Sequence, residues 1–282
     1  MKKSILSILI LFSFLPLLNA QDFYTGDKTE EVEKKPLITF NDGGLFELDL
    51  LKDSIVLGTG LALNGTWLVC DKIFKVNRKS YNNEILNIDD VNSFDRLFMK
   101  SYTHSLDIAG DICMAVTVFT PLLLYQTDSS DWLKLGIIYG ETMLMVNGIK
   151  EIGKLCTTRP RPYSYYPGGP SKAYSNGDWC KSWPSGHTSF AFASATFTSY
   201  VFAKYYPDSN WKYAVIAGTY TLATTTAILR IESGNHFLTD VLTGAAIGTA
   251  CGFLVPWLHT LNEKTNNVVT ISPTGFNICL TF

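Results

Sequence analysis

Charged residues are scarce in this sequence. They make up 17% of its 282 residues, the formal net charge is −2 and the pI is about 6.1. A chain without a basic excess is not expected to bind nucleic acid. The six cysteines do not follow a zinc-binding spacing such as Cys-x-x-Cys, and we expect neither a metal nor another cofactor. No repeat of solenoid length is present, and no protein partner is implied.

Apolar residues are plentiful instead: 46% of the chain is hydrophobic, and the mean hydropathy is +0.12. They are concentrated in six segments of helical length that show no strand-like alternation. The segments are about 54–70, 107–126, 133–152, 187–203, 211–230 and 240–258. The pattern predicts an all-α fold with six main helices. None of the segments is an uninterrupted apolar run of about 18 residues, so the number of membrane crossings stays open.

The N-terminal residues have the pattern of a secretory signal peptide. Lys2 and Lys3 precede an apolar run from Ile5 to Leu18, and Leu18-Asn19-Ala20 resembles a cleavage site. An uncleaved anchor is the alternative, and both predict export across a bacterial-type inner membrane. The expected organisation is a signal peptide at 1–20, a loose polar leader at 21–53, a helical domain at 54–260 and a C-terminal tail at 261–282. The tail alternates in polarity and predicts a short extended hairpin.

The third apolar segment contains polar groups, among them Glu141 and Lys150, which are expensive in lipid unless they face the interior of a bundle. If the mature N-terminus is outside, three crossings would place the loop after this segment in the cytoplasm. A periplasm-facing site, which we expect, requires fewer crossings among the first three segments. In an oxidising compartment a disulfide between Cys156 and Cys180, which flank a polar loop, is plausible.

A first group of basic residues follows the third segment, in the stretch Lys154-Leu-Cys-Thr-Thr-Arg-Pro-Arg161-Pro162. Lysine supplies a point charge and arginine a planar fork, so the two can hold different oxygens of one phosphoryl group. Arg159 is an alternative to Arg161 as the ligand. Positive charge at a helix C-terminus is also favourable without any function.

A second group opens the fourth segment, in Pro184-Ser185-Gly186-His187. Ser185 is a good helix N-cap, and the free N–H groups around Gly186 can point at an anion. His187 would then lie beside a leaving group as a general acid. An N-cap serine followed by an incidental histidine is the simpler alternative.

The third group is Arg230-Ile-Glu-Ser-Gly-Asn-His236-Phe-Leu-Thr-Asp240. Asp240 is four positions after His236, which would place the two on one face of a helix. The carboxylate could then accept the Nδ1 proton and leave Nε2 bare for nucleophilic attack. Arg230 adds a second guanidinium for phosphate. Taken alone, a His-x-x-x-Asp pair is more often a surface pair.

Together, the three groups resemble the signature of the type 2 phosphatidic acid phosphatase superfamily: Lys-x6-Arg-Pro, Pro-Ser-Gly-His and Ser-Arg-x5-His-x3-Asp. Order and internal spacings match over about residues 130–258, and the six-helix layout extends the resemblance back to about residue 54. The family spacing selects Arg161 over Arg159. One position departs from the pattern, because Leu229 stands where the family has serine.

The resemblance implies a membrane-associated six-helix bundle and a metal-independent phosphatase that works through a phosphohistidine. It implies that His236 is the nucleophile, that Asp240 holds its ring and that His187 is the general acid. The implied phosphate ligands are Lys154, Arg161, Ser185, Gly186 and Arg230. The expected substrate is a phosphate or pyrophosphate of an envelope lipid, such as lipid A, undecaprenyl pyrophosphate or phosphatidate. The alternatives are a soluble periplasmic acid phosphatase, a vanadium haloperoxidase and a non-catalytic carrier or phosphate sensor.

Overall fold

A computed structural model describes residues 44–76, 79–82, 84–260, 269–272 and 275–278. The predicted signal peptide, most of the predicted leader and part of the predicted tail lie outside these residues. Within them, six long helices and two short ones confirm the all-α prediction. The α-helices are α1 Leu50–Leu68, α2 Ser93–Arg96, α3 His104–Val118, α4 Trp132–Cys156, α5 Ser171–Asn176, α6 Gly186–Tyr205, α7 Trp211–Glu232 and α8 Leu238–Leu258.

Shorter helical turns extend and connect these helices. Helix α1 is capped by Asp49, whose carboxylate accepts the Lys52 N–H at 2.8 Å, and it runs into a π-helical turn. The end of α5 is set by Gly177, which adopts a left-handed conformation with φ of 80°. The π-helix is Val69–Ile73, and the 3₁₀ helices are Ile88–Asp90, Thr120–Gln126, Ser129–Asp131, Pro162–Tyr165 and Asp178–Cys180.

Helix α6 is the centre of the bundle and packs against α3, α4, α7 and α8. Its closest neighbour is α8, which turns Gly244, Gly248 and Gly252 toward it. A Cβ at any of these glycines would collide with a backbone carbonyl oxygen of α6. Glycine at this spacing of four therefore allows the two helices to approach closely, and this holds the N-terminus of α8 against the N-terminus of α6.

The outer surface of the bundle is apolar. Large side chains on α1, α3, α7 and α8 are exposed, including Leu61, Ile112, Ile228 and Leu254. Among the described residues, three helices are long and apolar enough to cross a membrane: His104–Gln126, which is α3 with its 3₁₀ extension, α7 and α8. The polar residues of α4 point inward, since Glu141 and Lys150 are both buried. The exposed apolar belt fits a protein in contact with lipid.

The described part of the tail forms an antiparallel hairpin, β1 Val269–Ser272 and β2 Gly275–Ile278, with Val269 opposite Ile278. This agrees with the predicted extended tail. The proposed disulfide is wrong. Cys156 is exposed at the end of α4, whereas Cys180 is buried and its thiol donates to the Gly177 carbonyl.

Candidate active site

The three predicted groups meet at one end of the bundle around a cavity of about 750 Å³. The C-terminal ends of α4 and α7 and the N-terminal ends of α6 and α8 reach this end, so segments far apart in sequence converge there. The predicted site residues that line the cavity are Lys154, Arg161, Gly186, His187, Arg230 and His236. Ser185 and Asp240 are not part of the lining, and both are fully buried behind it.

His236 is in the turn between α7 and α8, and its side chain is only 2% exposed. The prediction that it shares a helix face with Asp240 is wrong, because α8 begins after it, at Leu238. Its backbone N–H donates to the Arg230 carbonyl at 3.1 Å. The left-handed Gly234, with φ of 74°, lies too close to the carbonyl of Ser101 for any side chain. The backbone thus fixes the position of the ring.

Arg161 determines which ring nitrogen of His236 is available. Its Nη1 is 3.1 Å from Nε2, and a guanidinium can only donate, so Nε2 carries the lone pair and Nδ1 the proton. Burial, followed by the nearby positive charges of Arg161 and Arg230, holds the pKa of His236 well below its ordinary value. Both effects favour the neutral imidazole, with the unprotonated Nε2 toward the Arg161 guanidinium.

Asp240 supports the site differently from the prediction. Its Oδ2 is 3.6 Å from His236 Nδ1, which is too long for a hydrogen bond, and Nδ1 has no hydrogen-bond partner among the described residues. The carboxylate is already occupied. It accepts the Phe237 N–H at 2.9 Å and the Ser182 hydroxyl, and it pairs with Arg159. In this state Asp240 caps α8 and leaves its charge beside the ring.

The two candidate arginines are separated by the structure. Arg161 is 6% exposed, points into the cavity and pairs with Asp178, with 2.9 Å between Nη2 and a carboxylate oxygen. Arg159 does not line this cavity. It lies over the Phe237 ring at 4.3 Å and bridges Asp240 to Asp95. Only Arg161 is therefore placed to touch a ligand in the cavity.

Lys154 lies in the last turn of α4, with its Nζ 3.6 Å from Glu151. Burial lowers the pKa of this lysine to about 8, and nearby cations add to the effect against the opposing charge of Glu151. Lys150 lines the same wall and was missed by the sequence reading, although it is one helical turn before Lys154. The cavity wall formed by α4 therefore presents two ammonium groups.

The N-terminus of α6 opens onto the cavity at Gly186 and His187. A Cβ at Gly186 would be 3.2 Å from the Lys150 side chain, so glycine allows that lysine to lie against the helix end. Ser185 occupies the N-cap position but does not cap with its side chain, since its hydroxyl pairs with that of Thr188 at 3.0 Å. The predicted role of Ser185 as a phosphate ligand does not fit this side-chain position.

Acidic residues of α3, absent from the predicted site, hold the remaining two groups. Asp111 is 2.8 Å from His187 Nε2 and 3.1 Å from Arg230 Nη1, and Asp107 is 2.6 Å from the same Nη1. Burial lowers the pKa of His187, an effect that its hydrogen bond to Asp111 opposes. The spacing of Asp107 and Asp111, four residues apart at the start of an apolar helix, is the signal that could have found them.

Two features of Arg230 bear on ligand binding. Its side chain is 3% exposed, and its Nε is buried without a hydrogen-bond partner among the described residues. Leu229, which replaces the family serine, is half-buried near Gly110 of α3 and offers no hydrogen bond. Arg230 therefore has an unused donor beside the cavity, and an anion that reaches Nε would satisfy it.

Comparison with known proteins agrees with this arrangement. Residues 135–264, which contain all three groups, match the family model described as the PAP2 superfamily. The match covers a little under half of the chain, and over these residues the chain is similar to the PAP2 superfamily. The matched region includes most of α4 and all of α6, α7 and α8, and every predicted site residue lies in these helices or in the segments that join them.

A curated relative of this chain is a "Lipid A 1-phosphatase" from Porphyromonas gingivalis, 35% identical over 157 residues. The match covers 56% of this chain and 29% of the relative, so this chain spans less than a third of that protein. Two crystal structures are also similar. One is a transmembrane PAP2 type phosphatidylglycerolphosphate phosphatase from Bacillus subtilis, with 20% identity, 74% of this chain and 96% of that chain covered, and a TM-score of 0.42. The other is Aquifex aeolicus LpxE, with 22% identity, 63% and 98% covered, and a TM-score of 0.39.

Proposed function

We propose that the protein is a phosphatase that removes a phosphate group from a lipid of the bacterial envelope through a phosphohistidine at His236. The observation that carries the proposal is the neutral, buried His236, with Nε2 toward a cavity that also presents Lys154, Arg161 and Arg230. A nucleophile surrounded by cations suits an anionic electrophile such as a phosphoryl group. A carrier or sensor would need the cations alone.

In the first step, Nε2 of His236 attacks phosphorus and the bond to the leaving oxygen breaks. The phosphoryl oxygens replace His236 as acceptors of the Arg161 donors, and Lys154 and Arg230 stabilise the charge that spreads over them. As positive charge develops on the ring, the Asp240 carboxylate at 3.6 Å stabilises it. Protonated His187 gives its proton to the leaving oxygen, so the lipid departs as an alcohol or as a lipid phosphate.

In the second step, the now neutral His187 takes a proton from water, and the oxygen of that water attacks phosphorus. The P–N bond breaks, inorganic phosphate leaves, and His236 and protonated His187 are restored. Asp111 holds the His187 ring throughout, with 2.8 Å between the carboxylate and Nε2. The cations needed for transition-state charge are side chains of the protein itself, so the proposed chemistry does not require a metal at this cavity.

A lipid substrate is supported by the apolar exterior. Two helices that line the cavity, α3 and α7, are long and apolar enough to cross a membrane, and so is α8, which begins two residues after the cavity residue His236. An acyl chain could stay in the bilayer while its phosphate enters the cavity. A soluble acid phosphatase is disfavoured by exposed residues such as Ile112 and Leu254. We place the protein in the inner membrane after export, with the site toward the periplasm.

The test is phosphate release by the purified full-length protein in detergent. The panel contains lipid A, undecaprenyl pyrophosphate, phosphatidylglycerol phosphate and phosphatidate, with p-nitrophenyl phosphate as the soluble substrate. We expect at least one lipid to be cleaved with a higher kcat/KM than p-nitrophenyl phosphate. Lipid A with a 1-phosphate is the first substrate to try, because the curated relative is named a lipid A 1-phosphatase.

His236→Ala protein with unchanged helix content serves as the background control. Release that is equally fast in this variant would disprove the proposed nucleophile. If the folded wild-type protein released phosphate from no lipid, the carrier or sensor would be the better explanation. Fractionation addresses the membrane location: recovery in osmotic-shock fluid without detergent would favour the soluble enzyme.

A further inference from the structure

A second cluster of titratable side chains lies away from the cavity, in the outer half of the bundle where α8 ends. Asp53 is in the first turn of α1, Glu141 in the N-terminal half of α4 and His259 directly after α8. One ligand atom from each of the three lies within 4.8 Å of the others. None of these residues lines the candidate active site.

His259 is oriented by its backbone contact. Its Nδ1 is 2.8 Å from the Val255 carbonyl oxygen, which can only accept, so Nδ1 carries a proton. Nε2 faces the two carboxylates, at 2.9 Å from Asp53 Oδ1 and 3.4 Å from Glu141 Oε2. A histidine that donates one ring N–H to a carbonyl and presents the other nitrogen to acidic groups has the usual arrangement of a metal ligand.

Glu141 is the unexplained member of the cluster. It is 1% exposed, and neither of its oxygens has a hydrogen-bond partner among the described residues. A buried carboxylate without donors is strongly unfavourable, and a second carboxylate beside it adds repulsion if both are charged. The nearest ion-pair partner of Glu141 is the same His259 ring that Asp53 also contacts. A cation between the three groups would satisfy all of them.

We propose that Asp53, Glu141 and His259 form a binding site for a divalent transition metal, with Zn²⁺ as the best fit. One imidazole nitrogen and two carboxylate oxygens are a ligand set that Zn²⁺ accepts, whereas Mg²⁺ and Ca²⁺ prefer oxygen alone. Two ligands at about 2.0–2.1 Å from a tetrahedral ion are about 3.3 Å apart. The two Nε2-to-oxygen distances, 2.9 and 3.4 Å, lie on either side of this value.

The ion would join the three helices that the ligands come from. Asp53 and His259 are 206 residues apart in the chain, and the segment before α1 is already tied to this point by the Glu47 N–H, which donates to the His259 carbonyl at 2.9 Å. The Asp53 side chain remains 17% exposed and gives solvent access for loading. The site therefore stabilises the bundle and does not take part in the chemistry at the cavity.

The test uses the full chain in detergent, purified with a tag that contains no histidine. The protein is stripped with EDTA, dialysed, and titrated with Zn²⁺ alone, then with Mn²⁺ and Mg²⁺. We expect one equivalent of Zn²⁺ per chain by elemental analysis, a higher Tm with Zn²⁺ than without, and no such rise with Mg²⁺. A wild-type protein that retains no Zn²⁺ and shows no rise in Tm would overturn the proposal.

Glu141→Gln is the most informative variant, because glutamine has the same shape and does not bury a charge. The stripped variant should fold at least as well as stripped wild-type protein. Its affinity for Zn²⁺ should fall by at least about 10–100-fold, because even the loss of a residue that only hydrogen-bonds to a metal ligand has an effect of this size. His259→Gln should behave in the same way. His104→Gln, at the other end of the bundle, controls for adventitious binding to histidine and should keep the equivalent of Zn²⁺.

One specific outcome would replace the metal with a direct side-chain contact. If Zn²⁺ neither binds to wild-type protein nor raises its Tm, while His259→Gln lowers the Tm of the stripped protein, the cluster is a contact between the imidazole and the two carboxylates that holds no metal. Equal Zn²⁺ binding by wild-type protein and Glu141→Gln would also contradict the proposed site.

Discussion

The two ends of helices α4 and α8 carry opposite chemistry. At one end, Lys154 and the turn before α8 contribute to a cation-lined cavity of about 750 Å³. Toward the other, Glu141 and His259 belong to a cluster of two carboxylates and one imidazole. The first end has room and charge for an anion of substrate size, whereas the second brings one imidazole and two carboxylates within 4.8 Å of one another. On the two proposals made above, the cavity end carries out the phosphatase chemistry and the other end supports the fold.

If this division is right, changes at one end should leave the other unaffected. Variants around His236 should alter rates without altering metal content. Variants around Glu141 should alter metal content and stability, and leave the rate unchanged at temperatures below the transition. The predictions below run from the largest expected effect to the smallest.

Replacing His236 with alanine should have the largest effect. Loss of a nucleophile removes the covalent route, and we expect kcat/KM on the best lipid substrate to fall by about 10⁴-fold or more. Phosphate release is the measurement, and Glu141→Gln is the matched control because it changes a buried titratable group at the opposite end. A loss of similar size in both variants would show that the two ends are not independent.

Variants of Arg161 and Arg159 should show which of the two arginines belongs to the active site. Arg161→Ala removes a guanidinium that lines the cavity, and the expected loss in kcat is about 10²–10³-fold. Arg159→Ala should lose less, because Arg159 does not line the cavity and instead pairs with Asp240 and Asp95. Steady-state kinetics of the two variants check this order. The reverse order would mean that the ligand-binding arginine has been assigned wrongly.

The pH profile tests the link between Asp111 and His187. The general acid must be protonated, and because burial lowers the pKa of His187, kcat/KM should fall as pH rises through that lowered pKa. Asp111 opposes the lowering. In Asp111→Asn the pKa of His187 should drop further, and the alkaline limb of the profile should move to lower pH. A limb that does not move, in an active variant, would exclude this role for Asp111.

Chelation should separate the two ends without any mutation. After EDTA treatment, activity at a temperature well below the transition should be unchanged, since side chains supply the charge at the cavity. The Tm should fall if the far cluster holds an ion. Activity that disappears with EDTA and returns only with added metal would contradict the proposed phosphohistidine chemistry.

Much of the fold follows from local sequence patterns. The six apolar segments became six helices because their length and lack of alternation are properties of neighbouring residues. The structure differs from the prediction at the helix boundaries. Helix α8 begins at Leu238, which leaves His236 in the preceding turn and outside the helix. Spacing alone does not reveal that a left-handed Gly234 ends the preceding turn.

Contacts between distant segments were harder to predict. The three motifs predicted that Lys154, His187 and His236 share one site, as the cavity shows. They did not indicate that Asp111 on α3 would contact His187. Ser185 occupies the helix N-cap position that its motif predicts, but its hydroxyl pairs with that of Thr188 and does not face the cavity. The cluster around His259 has no local signature at all, because its three ligands come from the first, middle and last parts of the bundle.

The most direct test of the account is to trap the covalent intermediate. A lipid substrate labelled at its phosphate is mixed with excess protein, the reaction is quenched in denaturant at alkaline pH, and the chain is examined for bound label. We predict label on wild-type protein that is stable to alkali, labile to acid and located at His236, and none on His236→Ala. Label on another residue, or turnover without any labelled chain at the earliest times, would contradict His236 as the nucleophile.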